Sequence, residues 1–221
     1  GNIDEIAPTG TLTQTPTGDT NGDVTLNLTS IADAGGSTYY RTKLPNGTYV
    51  TTTTASQVVS VNGTYSFVIY DDAGNSTTKT ITVSNIDKTV PTGNLGQTPT
   101  SWTNGNVTLN LTSIADVGSG VKNIKLPNGT IVTGTSASQV VSVNGTYSFV
   151  ITDNAENSTT KTIIVSNIEE IAPTGTLVQT PTGATNGDVT LNLTSIADTG
   201  GSGYYRTKLP NGSFVTTTTA S

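Results

Sequence analysis

The residues best suited to chemistry are acidic side chains at the turns and joints of a repeated unit. Asp71 and Asp72 follow a strand-like run and precede Asn75, and Asp153 stands at the same place one repeat later. The segments that join the repeats add four further carboxylates, namely Asp4, Asp87, Glu169 and Glu170. Calcium takes about six to eight oxygen ligands from carboxylates and carbonyls, and it can fix a joint between β-domains. These positions are therefore candidate ligands for calcium, and we expect no other cofactor.

Two features of the sequence weigh against such a site. Lys88 stands where the other joints have Glu5 and Glu170, and no regular D-x-D-x-D loop is present. Asp and Asn are also good turn formers, because their side chains hydrogen-bond to nearby backbone. Ordinary polar turns are therefore the leading interpretation of the same residues, and a calcium site is the alternative.

Two tyrosine pairs are the candidate ligand contacts. Tyr39 and Tyr40 recur as Tyr204 and Tyr205, whereas the middle repeat has Val121-Lys122. In a strand, neighbouring side chains point to opposite faces, so one tyrosine of each pair is expected to be exposed. An exposed tyrosine can stack on a sugar or contact a protein, and it can also simply cover a neighbouring strand.

The composition argues against catalysis and against nucleic acid. The chain contains no His and no Cys, which removes the commonest general base, thiolate nucleophiles and disulfides. We therefore predict that the protein is not an enzyme. The formal net charge of −6 disfavours binding to a phosphate backbone. No apolar run reaches the roughly 18 residues that a transmembrane helix needs.

The chain is a tandem repeat with a period of 82 to 83 residues, marked by Pro8, Pro91 and Pro173. Residues 7–56 return as residues 172–221 with six differences. We divide the chain into module 1 (1–84), module 2 (85–166) and module 3 (167–221), the last one lacking its final strands. The joints between modules are short and end in proline, which is typical of a semi-stiff hinge.

The pattern within a module predicts a β-sandwich of about seven strands. Val24, Leu26 and Leu28 alternate with polar residues, and Asn-Gly turns separate the strand-like runs. The order of strands matches an immunoglobulin-like topology. Tyr65 stands where a tyrosine corner would bind nearby backbone, with a hydroxyl in solvent as the alternative.

Several of these segments resemble bacterial immunoglobulin-like repeats, which occur in tandem in surface and adhesin proteins of Gram-positive bacteria. The resemblance rests on motifs such as Ala7-Pro8-Thr9-Gly10, Lys43-Leu44-Pro45-Asn46-Gly47-Thr48 and Asn62-Gly63-Thr64-Tyr65-Ser66-Phe67. It implies an extracellular location on the bacterial surface and, in most cases, a stalk role in a linear rod. In related adhesins, calcium at the joints stiffens the stalk.

The leading functional hypothesis is a structural stalk or spacer segment. One alternative is an adhesive module that binds a host glycan or protein through the tyrosine face. A second is a self-assembling filament subunit whose partners are other copies of the repeat. The second alternative follows from module 3, because a half-sandwich is completed either by its own chain or by strands of another chain.

Overall fold

The computed structural model describes residues 3–219, and every regular element within them is a β-strand. The all-β prediction is therefore confirmed. Residues that alternate between apolar and polar suit a strand with one inward face, and Asn-Gly pairs close the hairpins between strands. Module 1 contains seven strands: β1 Thr9–Thr15, β2 Val24–Ala32, β3 Tyr39–Lys43, β4 Tyr49–Val50, β5 Ala55–Val59, β6 Gly63–Asp71 and β7 Ser76–Val83.

These seven strands form two antiparallel sheets that share one core. The first sheet has the order β1-β2-β5, and the second has the order β4-β3-β6-β7. Val24, Leu26 and Leu28 of β2 are fully buried in one cluster with Phe67 and Ile69 of β6. Burial of each such side chain contributes roughly 1.5–3 kcal/mol. The module is thus sandwich-like, as the alternation predicts.

Module 2 repeats this arrangement strand for strand. Its two sheets have the orders β12-β9-β8 and β11-β10-β13-β14. Phe149 and Ile151 occupy the core positions of Phe67 and Ile69, and both are fully buried. The strands are β8 Thr92–Thr98, β9 Val107–Ala115, β10 Val121–Lys125, β11 Ile131–Val132, β12 Ala137–Val141, β13 Gly145–Asp153 and β14 Ser158–Val165.

The described part of module 3 contains two small sheets. β15 Thr174–Thr180 pairs with β16 Thr190–Ala197, and β17 Thr207–Lys208 pairs with β18 Phe214–Val215. Apolar residues here are less covered than in the other modules. Leu191 is 46% exposed, whereas the equivalent Leu26 of module 1 is fully buried.

The tyrosine corner predicted from the sequence is present in modules 1 and 2. The Tyr65 hydroxyl donates a hydrogen bond to the Val61 carbonyl at 2.8 Å, and the Tyr147 hydroxyl donates to the Val143 carbonyl at 2.7 Å. Each bond fixes the turn that leads into the longest strand of its second sheet.

Candidate metal centre at the joints between modules

The first joint is hydrogen-bonded to the module before it. The Thr20 amide donates to the Asn85 carbonyl, and the Asp87 amide donates to the Thr20 carbonyl, both at 2.9 Å. The Asn62 side chain holds the residue between them, because it accepts from the Ile86 amide at 3.0 Å and donates to the Ile86 carbonyl at 2.8 Å. Ile86 is buried in the core of module 1. The start of the joint is therefore part of that module's packed structure.

The second joint repeats these contacts. Thr103 exchanges backbone hydrogen bonds with Asn167 and Glu169, both at 2.9 Å. Asn144 binds the amide and the carbonyl of Ile168 at 3.0 and 2.8 Å. The two joints differ in sequence and keep the same bonds, so this attachment is a property of the repeat unit.

Asp87 is also attached to the module that follows it. The Ser119 amide donates to Asp87 Oδ2 at 2.7 Å, and Asn157 Nδ2 donates to the Asp87 backbone carbonyl at 3.0 Å. The carboxylate lies directly against Gly118, where a Cβ atom would collide with it. Through its amide Asp87 contacts module 1, and through its carboxylate and carbonyl it contacts module 2.

Three carboxylates from separate segments converge at this point. Asp87 comes from the joint, Asp116 follows β9, and Asp153 is the last residue of β13. One oxygen from each lies within 4.8 Å of the others. The equivalent acids of module 1 are Asp4, Asp33 and Asp71, and their oxygens lie within the same distance of one another. We call each such group a joint cluster.

Hydrogen bonds favour the ionised form of the acids that the joints contribute. The Ser119 backbone N–H is the chief cause that lowers the pKa of Asp87 below its ordinary value. In module 1, the Ser37 hydroxyl is the chief cause that lowers the pKa of Asp4. A hydrogen bond to the charged form stabilises that form, so both carboxyls are anionic at neutral pH.

The acid at the end of the long strand is almost completely buried and still ionised. Burial raises the pKa of Asp71, but hydrogen bonds from the Asn75 side chain and amide outweigh it, and the pKa lies below its ordinary value. The amide binds Oδ1 at 2.7 Å and the side chain binds Oδ2 at 2.8 Å. Asn157 binds Asp153 in the same way, with both distances at 2.8 Å.

No basic side chain of the described residues is paired with a joint cluster. The two ion pairs within residues 3–219 join Lys88 to Asp23 at 3.3 Å and Lys122 to Glu156. Lys88 follows Asp87 in the chain, but its ammonium group extends back to module 1. Lys88, whose position in the sequence weighs against an acidic site, therefore does not neutralise the joint cluster.

The donors of the module 2 cluster fit a hard divalent cation. Asp116 Oδ2 accepts from the Gly120 amide at 2.8 Å, whereas its Oδ1 is buried and has no hydrogen-bond partner. A buried carboxylate oxygen without a partner is costly, and a cation would satisfy it. Two oxygens that bind one calcium ion at 2.3–2.6 Å lie no more than about 5 Å apart, and the cluster meets this limit. Oxygen donors alone favour calcium, magnesium or manganese.

Module 3 carries a related pair of acids. The Ser202 hydroxyl donates to Glu169 Oε2 at 2.7 Å and to Asp198 Oδ2 at 3.2 Å. Asp198 follows β16 as Asp33 and Asp116 follow the equivalent strands. The joint acid and the loop acid are thus adjacent in all three modules.

The acids predicted from the sequence divide into two groups in space. Those inside the clusters or their counterpart in module 3 are Asp4, Asp71, Asp87, Asp153 and Glu169. Asp72 and Glu170 lie outside them. Asp72 is exposed and accepts a hydrogen bond from the Thr38 hydroxyl at 2.9 Å, and Glu170 is exposed at the joint.

Sequence reasoning missed the third acid of each cluster, Asp33 in module 1 and Asp116 in module 2. Both follow the second strand of their module and are far in sequence from the other two acids. A signal was available, because an acid at this position recurs as Asp198. Nothing in a single module distinguishes it from an ordinary turn residue.

The tyrosine pairs separate as the alternation of a strand predicts. The Tyr39 hydroxyl turns inward and donates to the Val50 carbonyl at 3.1 Å, whereas Tyr40 is 48% exposed. Tyr204 and Tyr205 follow the same pattern, and Tyr205 is 74% exposed. Only the second tyrosine of each pair is available to a ligand.

Comparison with models of known protein families gives no match, and no curated protein matches the chain in sequence. Within residues 3–219, no helix has the length and apolar character that crossing a bilayer requires.

Proposed function

We propose that this chain is a stalk segment of an extracellular bacterial surface protein. Its modules are immunoglobulin-like sandwiches arranged as a linear rod, and its role is mechanical rather than catalytic. Seven strands in two sheets and a tyrosine corner in modules 1 and 2 support the immunoglobulin-like assignment. The resemblance of the repeat motifs to Gram-positive surface proteins supports the location.

The observation that carries the proposal is the double attachment of Asp87. Its backbone amide is bonded to Thr20 of module 1, while its carboxylate and carbonyl are bonded to Ser119 and Asn157 of module 2. A flexible tether would leave these groups to solvent. A joint that is bonded on both sides resists bending, which is the property that a stalk needs.

Calcium bound at the joint clusters is the second part of the proposal. An ion held by Asp87, Asp116 and Asp153 would connect the joint to two loops of module 2, in addition to the hydrogen bonds. It would also balance the negative charge of three neighbouring carboxylates. The joint would then be stiffer with calcium than without it.

Titration calorimetry on the intact chain tests the calcium site. We expect calcium to bind, and we expect the paired change Asp33→Asn and Asp116→Asn to abolish or greatly weaken binding. The matched control is the paired change Asp72→Asn and Glu170→Gln, which removes the same charge outside the clusters and should leave binding unchanged. Equal losses in the two variants, or no calcium binding by the unmodified chain, would remove calcium from the proposal.

Small-angle X-ray scattering tests the stalk itself. The longest strands have nine residues, which at about 3.3 Å per residue span about 30 Å in modules 1 and 2, so the chain should scatter as an extended rod. A compact particle, with modules folded back on one another, would contradict the stalk whether or not calcium binds.

A further inference from the structure

A cation surrounded by tyrosines lies on the outer face of the second sheet of module 1. The Arg41 guanidinium carbon is 4.3 Å from the centre of the Tyr49 ring, 5.0 Å from that of Tyr40 and 5.6 Å from that of Tyr70. Strand pairing explains the grouping, since Arg41 is opposite Tyr70. The next pair along, Thr42 and Ile69, is fully buried, so Arg41 and Tyr70 face outward. The register of β3 shifts between Tyr39 and Arg41, and this irregularity lets Tyr40 face outward beside Arg41. We call Tyr40, Arg41, Tyr49 and Tyr70 the arginine patch.

The charge at the centre of this patch has no protein counterpart in the described part of the chain. Neither of the two ion pairs includes Arg41. Its Nε atom is buried and has no hydrogen-bond acceptor. The tyrosine rings hold the guanidinium by cation–π contact, which uses none of its N–H donors. The two terminal nitrogens, which are not among the buried atoms, remain for an outside anion.

The patch recurs in module 3 and not in module 2. Arg206 lies 5.0 Å from the centre of the Tyr205 ring and 4.1 Å from that of Phe214. Arg41 and Arg206 are the only arginines in the sequence. At the equivalent place, module 2 has Asn123, beside a lysine that is already paired with Glu156. The patch is therefore separate from the conserved sandwich core and from the joint clusters.

We propose that the arginine patch binds an acidic polysaccharide, through the carboxylate of a uronic acid unit. The guanidinium would bind the carboxylate, and the tyrosine hydroxyls and ring edges would contact the sugar hydroxyls and the apolar C–H groups. Tyr40 and Tyr49 are each 48% exposed, which leaves a shallow, open platform that a polymer chain can cross.

Two features favour a polymer with sparse charge over other anions. The patch occurs twice on one chain, so a polymer that reaches both copies gains from effective concentration, whereas a single sugar does not. The net charge of −6 also opposes general attraction of polyanions, so binding has to depend on local contacts. This proposal does not depend on the joints or on calcium.

The test follows the arginine side chains by nuclear magnetic resonance on the intact chain. With two arginines, the chain gives two Nε–H signals, and the Arg41→Gln variant identifies each. We expect polygalacturonate to shift both signals and its fully methyl-esterified form to shift neither. The double variant Arg41→Gln and Arg206→Gln should bind polygalacturonate roughly ten- to a hundredfold more weakly. Tyr40→Ala, which changes an exposed ring, should also weaken binding.

The control variant is Lys125→Gln, which removes one positive charge from the equivalent sheet of module 2. This variant should bind polygalacturonate with unchanged affinity. The proposal is overturned if polygalacturonate shifts neither arginine signal, or if the methyl ester binds equally well. Equal weakening by Lys125→Gln would overturn it too, since general charge attraction would then explain the binding. If poly-glutamate shifts the same signals with equal or higher affinity, the patch is a site for acidic peptide, and the carbohydrate assignment fails.

Discussion

Replacing Asn62 by alanine should release the first joint from module 1. The side chain makes two partly buried hydrogen bonds to Ile86, at 3.0 and 2.8 Å. At about 1 kcal/mol for each bond, the change should destabilise the attached joint by about 2 kcal/mol. The fold of module 1 should persist, because Asn62 lies outside its apolar core.

Hydrogen exchange of the Thr20 and Asp87 amides measures this release, since these amides make the backbone bonds between the joint and module 1. A loss of about 2 kcal/mol corresponds to exchange that is about thirtyfold faster. Asn46→Ala is the matched control. Asn46 also precedes a glycine in a turn, but its side chain binds only Thr48 within that turn. Unchanged exchange in Asn62→Ala, or the same change in the control, would refute the idea that Asn62 holds the joint.

Three further predictions concern the cluster acids, a glycine and a tyrosine. The pKa values of Asp4 and Asp87 are lower in the folded protein than the ordinary value of 3.8. The contribution of these two carboxylates to stability is therefore complete above about pH 4 and is lost as the pH falls below it. Thermal unfolding between about pH 2 and 6 should show this loss. Gly118→Ala should destabilise module 2 by about 1–3 kcal/mol, because the φ angle of Gly118 is +147° and the added Cβ atom would collide with the Asp87 carboxylate. An unchanged midpoint of chemical denaturation would contradict this prediction. Tyr65→Phe should lower the free energy of unfolding by about 1 kcal/mol in chemical denaturation, because it removes the hydroxyl that binds the Val61 carbonyl. The control Tyr49→Phe should lower it much less. Equal losses would show that the tyrosine corner does not stabilise the module.

The fold was largely predictable from local sequence. Val24, Leu26 and Leu28 alternate with polar residues, and all three are fully buried. Period-two alternation leaves no other stable arrangement for such a segment than a strand with one covered face. The tyrosine corner was also predictable from local sequence, because it needs only Tyr65 and the turn that precedes it.

The joint cluster was only partly predictable, because it is assembled from segments that are distant in sequence. Asp71 and Asp72 are neighbours in the chain, but Asp71 is the last residue of β6 and Asp72 lies in the turn that follows. Only Asp71 enters the cluster. Asp33 reaches the same place from a loop 38 positions earlier. Only the folded sheet brings that loop beside the joint.

The arginine patch shows the same limit. The sequence drew attention to the paired aromatic residues Tyr39 and Tyr40, but Tyr39 faces inward. Tyr49 and Tyr70 join the patch from two other strands, and Arg41 was not singled out from the sequence. Strand pairing, which a single sequence does not reveal, brings these side chains together.

The most direct test of the central claim, that each joint is bonded to both of its modules, is a distance distribution across the first joint. The chain contains no cysteine, so Thr78→Cys and Thr160→Cys place one spin label at the same exposed strand position in each module. Pulsed electron paramagnetic resonance should give one narrow distance distribution in calcium, and a broader one after chelation or in Asn62→Ala. A broad distribution that calcium does not narrow would show that the modules move independently, and would contradict the account.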